Sequence, residues 1–221
     1  MDLGRIQPSP RYVGAMNGLF YVVCLISLMR FKCVENCSDC CIYREYYPDK
    51  SYGKIGVLIM PSEKERIERL AKSLGKAVTI LPRIGVGSEY KNGQKAGPAK
   101  IIAYQLMGVK ENGDLCPFLD VDSEERSPHG GYKCMIYANR PLACRAYPVI
   151  EASKEVKLDS KCQFCKSCSG SVEGIQNEIE ALTSIQQMMH FDEKDVWRYA
   201  TGVCNEEDKD LVRKGWVLET H

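Results

Sequence analysis

"FKCVENCSDCCIYREYYP", residues 31–48, places Cys33, Cys37, Cys40 and Cys41 within nine positions. Four thiols this close together are oxidised in pairs, bound to a metal, or held ready to react. The choice bears on the fold, because thiolates gathered on a metal can hold loops and short strands that have little regular structure of their own. Cysteine is also the compositional outlier, with 12 Cys against 3 His. That balance argues against a histidine-rich zinc or non-haem iron site and leaves thiolate as the available ligand.

Two more groups of cysteines follow. Cys116, Cys134 and Cys144 are spread along the centre of the chain, and Cys162, Cys165 and Cys168 have two residues between neighbours. A two-residue gap suits metal binding because the turn brings both sulfurs onto one ion while its backbone N–H groups face the thiolates. Vicinal Cys40 and Cys41 do not easily share one tetrahedral zinc. They more naturally serve two neighbouring centres, or act as one ligand and one packed thiol. Ten thiols exceed what one four-coordinate centre uses, so either two centres are present or some thiols are spare. Cys24 and Cys204 stand alone in apolar or helical contexts and read as ordinary buried cysteines.

The 221 residues suffice for one domain with an appended lobe. The reading is an N-terminal extension over 1–30, a cysteine-cluster metal-binding domain over 31–170, and a helical C-terminal lobe packed on it over 171–221. A net charge of +1 without any basic run gives no reason to expect a nucleic-acid partner. "GLFYVVCLISLM" (18–29) is too short to span a bilayer and no small-x-small cleavage site follows it. The expectation is therefore no stable membrane insertion and a cytoplasmic, reducing setting, where disulfides rarely persist.

Between the cysteines the pattern is mixed. "KIGVLIM" (54–60) reads as a strand ended by Pro61, and the following segment as a helix, with a capping box from Ser62 and Glu65 and Gly75 as its stop. Ile67, Leu70, Ala71 and Leu74 make its buried stripe. "AVTILPRIGV" and "AKIIAYQLMGV" read as strands around a hairpin connection over 85–98, whose Gly85 and Gly87 do not complete a dinucleotide or phosphate loop. "DLCPFLDV" and "GYKCMIYANRP" look like a strand pair, with His129 in the turn between them and no visible partner for it. "ACRAYPVIEASKEVKL" is expected to continue extended, and Ile175, Ile179, Leu182 and Ile185 to line one face of a helix. The class is α+β: a small, irregular, metal-stabilised, Cys-rich domain with short strands and a helical C-terminal lobe.

"CVENCSDCC", "CPFLD" and "CMIYANRPLACRAYP" together resemble the YkgJ-type cysteine-cluster family of zinc- or iron-chelating domains. That family is marked by a C-x-x-C-x-x-C-C opening, a C-P-F-L strand and a C-x-I-Y-x-x-R-P-x-x-C-R-x-Y-P segment. The resemblance covers about residues 31–150, with one departure: three residues separate Cys33 from Cys37 where two are usual. It implies a bound iron–sulfur or zinc centre, with Cys37, Cys40, Cys41, Cys116, Cys134 and Cys144 carrying over by position. Some relatives are attached to flagellin lysine methylation.

Arg140 and Arg145 have a role to fill beside such a centre. Four thiolates around a divalent ion or an oxidised cubane leave a net charge of about −2, which guanidinium N–H groups would offset. The cofactor expected is an iron–sulfur cluster, [4Fe–4S] favoured, or zinc, with a redox or structural role. "CVENCSDC" also fits the C-x-x-x-C-x-x-C of radical enzymes, but it runs on into a second cysteine and the chain lacks the repeated βα pattern of their barrel. Two alternatives stay open: an enzyme related to the flagellin lysine N-methylases, and a zinc-organised interaction module that presents its amphipathic tail to a protein partner.

Overall fold

The computed structural model describes residues 29–42, 47, 49–109, 114–153, 155–167 and 172–219. The apolar run over 18–28, Cys24 and Cys168 lie outside them. Among the described residues no helix is long and apolar enough to cross a membrane.

In chain order, β1 (Met29–Arg30) leads through the opening cysteine loop to α1 (Asp39–Ile42), then β2 (Val57–Ile59) and α2 (Pro61–Ser73). Next come β3 (Ile80–Val86), the hairpin β4 (Glu89–Lys91) and β5 (Gln94–Gly97), and β6 (Lys100–Leu106). The cysteine-bearing middle holds β7 (Leu119–Asp120), β8 (Lys133–Cys134), α3 (Leu142–Ala146), β9 (Val149–Glu151), β10 (Lys157–Leu158) and α4 (Gln163–Ser167). The chain closes with β11 (Val172–Glu173), α5 (Gln176–Met188), β12 (Val196–Thr201) and β13 (Lys214–Glu219). The class is α+β, as the residue pattern suggests.

One sheet of order β13–β12–β3–β6–β2 organises these elements, with every neighbouring pair antiparallel. The apolar run at β2 is buried on both faces. Val57 and Ile59 join a cluster with Ile67, Ala71, Leu106, Phe118 and Ile136, while Leu58 and Met60 join Ala103, Ala146, Ala181 and Ile185. Side chains alternate along a strand, so α2 and the β7–β8 ribbon cover one face and α3 with α5 cover the other. A third cluster, around Phe31, Val149, Cys162, Phe164 and Ile175, underlies the opening loop. The 85–98 connection is a tight hairpin whose turn residues Asn92 (φ 53°) and Gly93 (φ 76°) both take the left-handed backbone such turns require.

Three expectations are corrected. The cap of α2 is not the Ser62/Glu65 pair: Pro61 occupies the first helical position, and Glu63 accepts a hydrogen bond from Met60 N at 3.1 Å. Proline suits that position because its missing N–H would have no helical partner. Residues 142–146 are helical rather than extended, because a distant carboxylate caps them, as described below. The tail is helical over α5 and a 3-10 segment (Glu206–Leu211), but β12 and β13 are strands. "VWRYAT" is rich in β-branched and aromatic residues, and it adds to β3 through Val196↔Val86 and Trp197↔Gly85. The tail is thus woven into the sheet and does not merely pack on it.

Candidate metal centre

Backbone contacts from the 126–132 loop hold the opening cysteines. Cys33 N donates to His129 O at 2.7 Å, and Tyr132 N donates to Cys37 O at 3.2 Å. The approach is close enough to require glycine at 131, where a Cβ would stand 2.5 Å from Cys37 O. Arg126 Nε donates to Asn36 Oδ1 at 2.9 Å, pinning the tip of the cysteine loop. Ser127 Oγ donates to Tyr132 O at 2.8 Å and accepts from Cys134 N at 2.9 Å, tying the same loop to the second cysteine group. Read alone, "SPHGG" is a polar turn; its scaffolding role depends on a partner ninety residues away.

Cys40 and Cys41 ride on α1, a single helical turn, with their sulfurs 3.9 Å apart. Cys116 N donates to Cys41 O at 2.8 Å. From there Leu119 pairs with Cys134 across β7 and β8, so Cys116 and Cys134 come to one short ribbon packed on the Phe118–Ile136 cluster.

Cys144 lies on α3. A five-residue helix cannot support itself, and its start is held by Glu63 of α2. The buried Glu63 carboxylate accepts from Leu142 N at 2.9 Å with one oxygen and caps its own helix with the other. Arg66 Nη2 lies 3.1 Å from the first oxygen. Nothing in the sequence separates this glutamate from its neighbours on α2. Glu63→Ala removes both caps together, and about 2–4 kcal/mol of stability should be lost in urea unfolding, with reduced metal content. A change below about 0.5 kcal/mol would show that the double cap contributes nothing.

Cys33, Cys37, Cys40, Cys41, Cys116, Cys134 and Cys144 all line one groove of about 980 Å³. A small cavity of about 50 Å³ beside it is lined by Cys33, Cys37, Cys40, Cys144 and Cys162. Cys165, on α4, packs instead into the Phe31–Phe164 cluster, and Cys204 is buried away from both cavities. Among the described residues, no three Cys, His, Asp or Glu side chains stand close enough to form a ready-made metal-binding group. The thiols are gathered on one wall but not closed around a point.

Arg140 lines both cavities. Its Nε donates to Tyr137 O at 3.1 Å, and its guanidinium lies 3.9 Å from the centre of the Tyr137 ring. Arg145 is exposed on α3 and lines neither cavity, so the geometry places one of the two expected arginines beside the thiols. His129 also lines both, with Nε2 4.0 Å from Glu178 Oε1.

Burial pushes the Cys33 thiol up to about 11, with Cys40, Cys37 and Cys162 adding to the shift and Arg140 opposing it. Cys41 is held well above the ordinary thiol range, first by its hydrogen bond with Cys40 and then by burial. Burial also raises Cys144 and Cys134, reinforced in both by Cys116 and opposed by Arg140. Unligated thiolates so close would repel in a desolvated wall, and a cation reverses that balance.

The residues fit a metal on the chemistry of the donor set. It is all sulfur, which suits zinc and iron–sulfur centres and not hard cations such as calcium or magnesium. Ser38 Oγ, in the same groove wall, is buried and has no hydrogen-bond partner among the described residues, and a bound thiolate or sulfide would give its hydroxyl an acceptor.

A family model described as "CxxCxxCC: Putative zinc- or iron-chelating domain" matches residues 32–166. No solved structure matches the chain.

Proposed function

The chain belongs to the CxxCxxCC family of zinc- or iron-chelating domains, and from that premise we propose that its cysteine thiolates hold an iron–sulfur cluster, [4Fe–4S] favoured, or zinc. The observation that carries this reading is the single groove lined by thiols from the opening loop, α1, the β7–β8 ribbon and α3. Sulfur-only ligation, the number of thiols and the adjacent Arg140 favour the cluster. Zinc would supply a structural clamp, and a cluster would add one-electron chemistry. A reducing, cytoplasmic setting keeps the thiols available.

We assign the thiols to two neighbouring centres. Cys33, Cys37, Cys40 and Cys162 form the first, with Cys165 and Cys168 as further candidates. Cys41, Cys116, Cys134 and Cys144 form the second. Packing supports this division: Cys33 and Cys162 sit against the Phe31–Phe164 cluster, whereas Cys116 and Cys134 sit against the Phe118–Ile136 cluster. Successive residues of a helical turn point about 100° apart, so α1 can give one thiol to each centre.

Anaerobic purification with metal and sulfide analysis tests the assignment. Iron with acid-labile sulfide and broad visible absorbance supports the cluster, and a colourless zinc protein removes the redox role. Cys162→Ser and Cys134→Ser should each remove about half of the bound metal. Complete loss in both variants would merge the two centres into one. A second reading, an enzyme related to the flagellin lysine N-methylases, draws on the groove, whose volume of about 980 Å³ leaves room for a substrate beside the thiols.

A further inference from the structure

Arg83 occupies a β-bulge. The register of β3 on β6 passes from Pro82↔Tyr104 to Ile84↔Ala103, which leaves Arg83 with no opposite residue. Bulges re-aim side chains and are over-represented beside functional sites. Here Arg83 lines the groove that the thiols line, which also takes in Ile55 and Leu58 beside Gly56.

Arg83 is half-buried in the groove wall. Nη1 donates to Gly56 O at 3.2 Å, and among the described residues no carboxylate pairs with it. Arg198, a like charge, adds to the disfavour that burial imposes, while the Tyr47 phenol opposes it. Arg198 is itself paired with Glu219 and lies over the Tyr47 and Tyr52 rings. A partly desolvated charge without a carboxylate partner is costly, but the surroundings hold this one in place. Gln105 is fully buried; its Nε2 donates to Pro82 O at 2.9 Å and to Tyr47 Oη at 3.1 Å, and its Oε1 accepts from Gly56 N at 2.9 Å. One amide thus fixes both the residue before Arg83 and Gly56, the residue whose carbonyl Arg83 holds. Gly56 has no room for a side chain, because a Cβ would stand 2.2 Å from Leu106 O.

We infer that Arg83 anchors an organic acid with an apolar body, its carboxylate on the guanidinium and its body along the half-buried Ile55 and Leu58 at the edge of the sheet. The planar guanidinium fork matches a carboxylate in two parallel hydrogen bonds. One unbalanced charge against an apolar wall calls for a monoanion and not for a phosphate dianion.

Calorimetric titration of the metal-loaded full chain with octanoate, octylammonium, 1-octanol and inorganic phosphate tests this. Octanoate should bind more tightly than the other three. Arg83→Met should weaken octanoate at least tenfold while melting, without octanoate, no lower than the wild type. Equal binding of octanoate and 1-octanol by the wild type, or tighter binding of phosphate, would overturn the proposal without recourse to any variant. Undiminished octanoate binding by Arg83→Met would do the same, and a markedly lower melting temperature would make Arg83 a structural residue.

Discussion

Cys144→Ser is expected to lose about half of the bound metal and roughly 4 kcal/mol or more of stability. Serine nearly matches the thiol in size, but its hydroxyl is a harder and far weaker acid, poorly suited to a site built from thiolates. Cys144 sits on the five-residue α3, whose order depends on the Glu63 cap, on packing against α5 and, in this reading, on the bond to the metal. Losing a ligand therefore also loosens the element that carries it. Cys204→Ser is the control: that thiol is buried but lies outside both cavities, so metal content should stay at the wild-type level. Metal analysis and thermal unfolding of the two variants side by side decide the matter. Wild-type metal in Cys144→Ser would take Cys144 out of the ligand set.

Removing the metal should reverse the pH dependence of stability. In the metal-free chain the folded state holds Cys33 protonated up to about 11, whereas an exposed thiol ionises near 9. A folded-state thiol raised in this way contributes stability that is complete below the ordinary value and lost as pH climbs from about 9 through about 11. Cys41, Cys134 and Cys144 are shifted in the same direction and steepen the loss. The loaded protein behaves oppositely in the acid range, because protons compete with the metal for thiolate and its binding releases them. Melting temperatures measured with and without a strong chelator should fall on acidification only in the loaded protein, and fall on alkalinisation first in the stripped one. A stripped chain whose melting temperature stays level between pH 8 and about 10.5 would mean that the thiols are not desolvated together.

Local signals were legible wherever one element carries its own pattern. The stripe Ile67, Leu70, Ala71 and Leu74 predicts α2, although Leu74 stands exposed at its C-cap, and the apolar runs around 80–86 and 100–106 predict the paired β3 and β6. Ser62 and Glu65 match a common capping motif, whereas the effective carboxylate, Glu63, is singled out by a contact with Leu142 that no local pattern encodes. The strong periodicity of 175–185 predicts a helical tail, yet its last twenty-odd residues supply two strands to a sheet begun more than a hundred positions earlier. His129 and Gly131 read locally as an ordinary turn for the same reason. Their backbone serves Cys33 and Cys37, which are remote in the chain.

By itself the sequence determined the chemistry: twelve cysteines against three histidines leave sulfur as the ligand, and the motifs around 33–41, 116 and 134–148 mark the family. Tertiary structure alone decided which thiols share a wall, that Arg140 and not Arg145 stands beside them, and that Arg83 lines the same groove with no carboxylate partner among the described residues. The reason is physical. Ligand type is a property of single residues and short spacings, whereas proximity and unbalanced charge arise only when segments distant in the chain are packed together and water is removed between them.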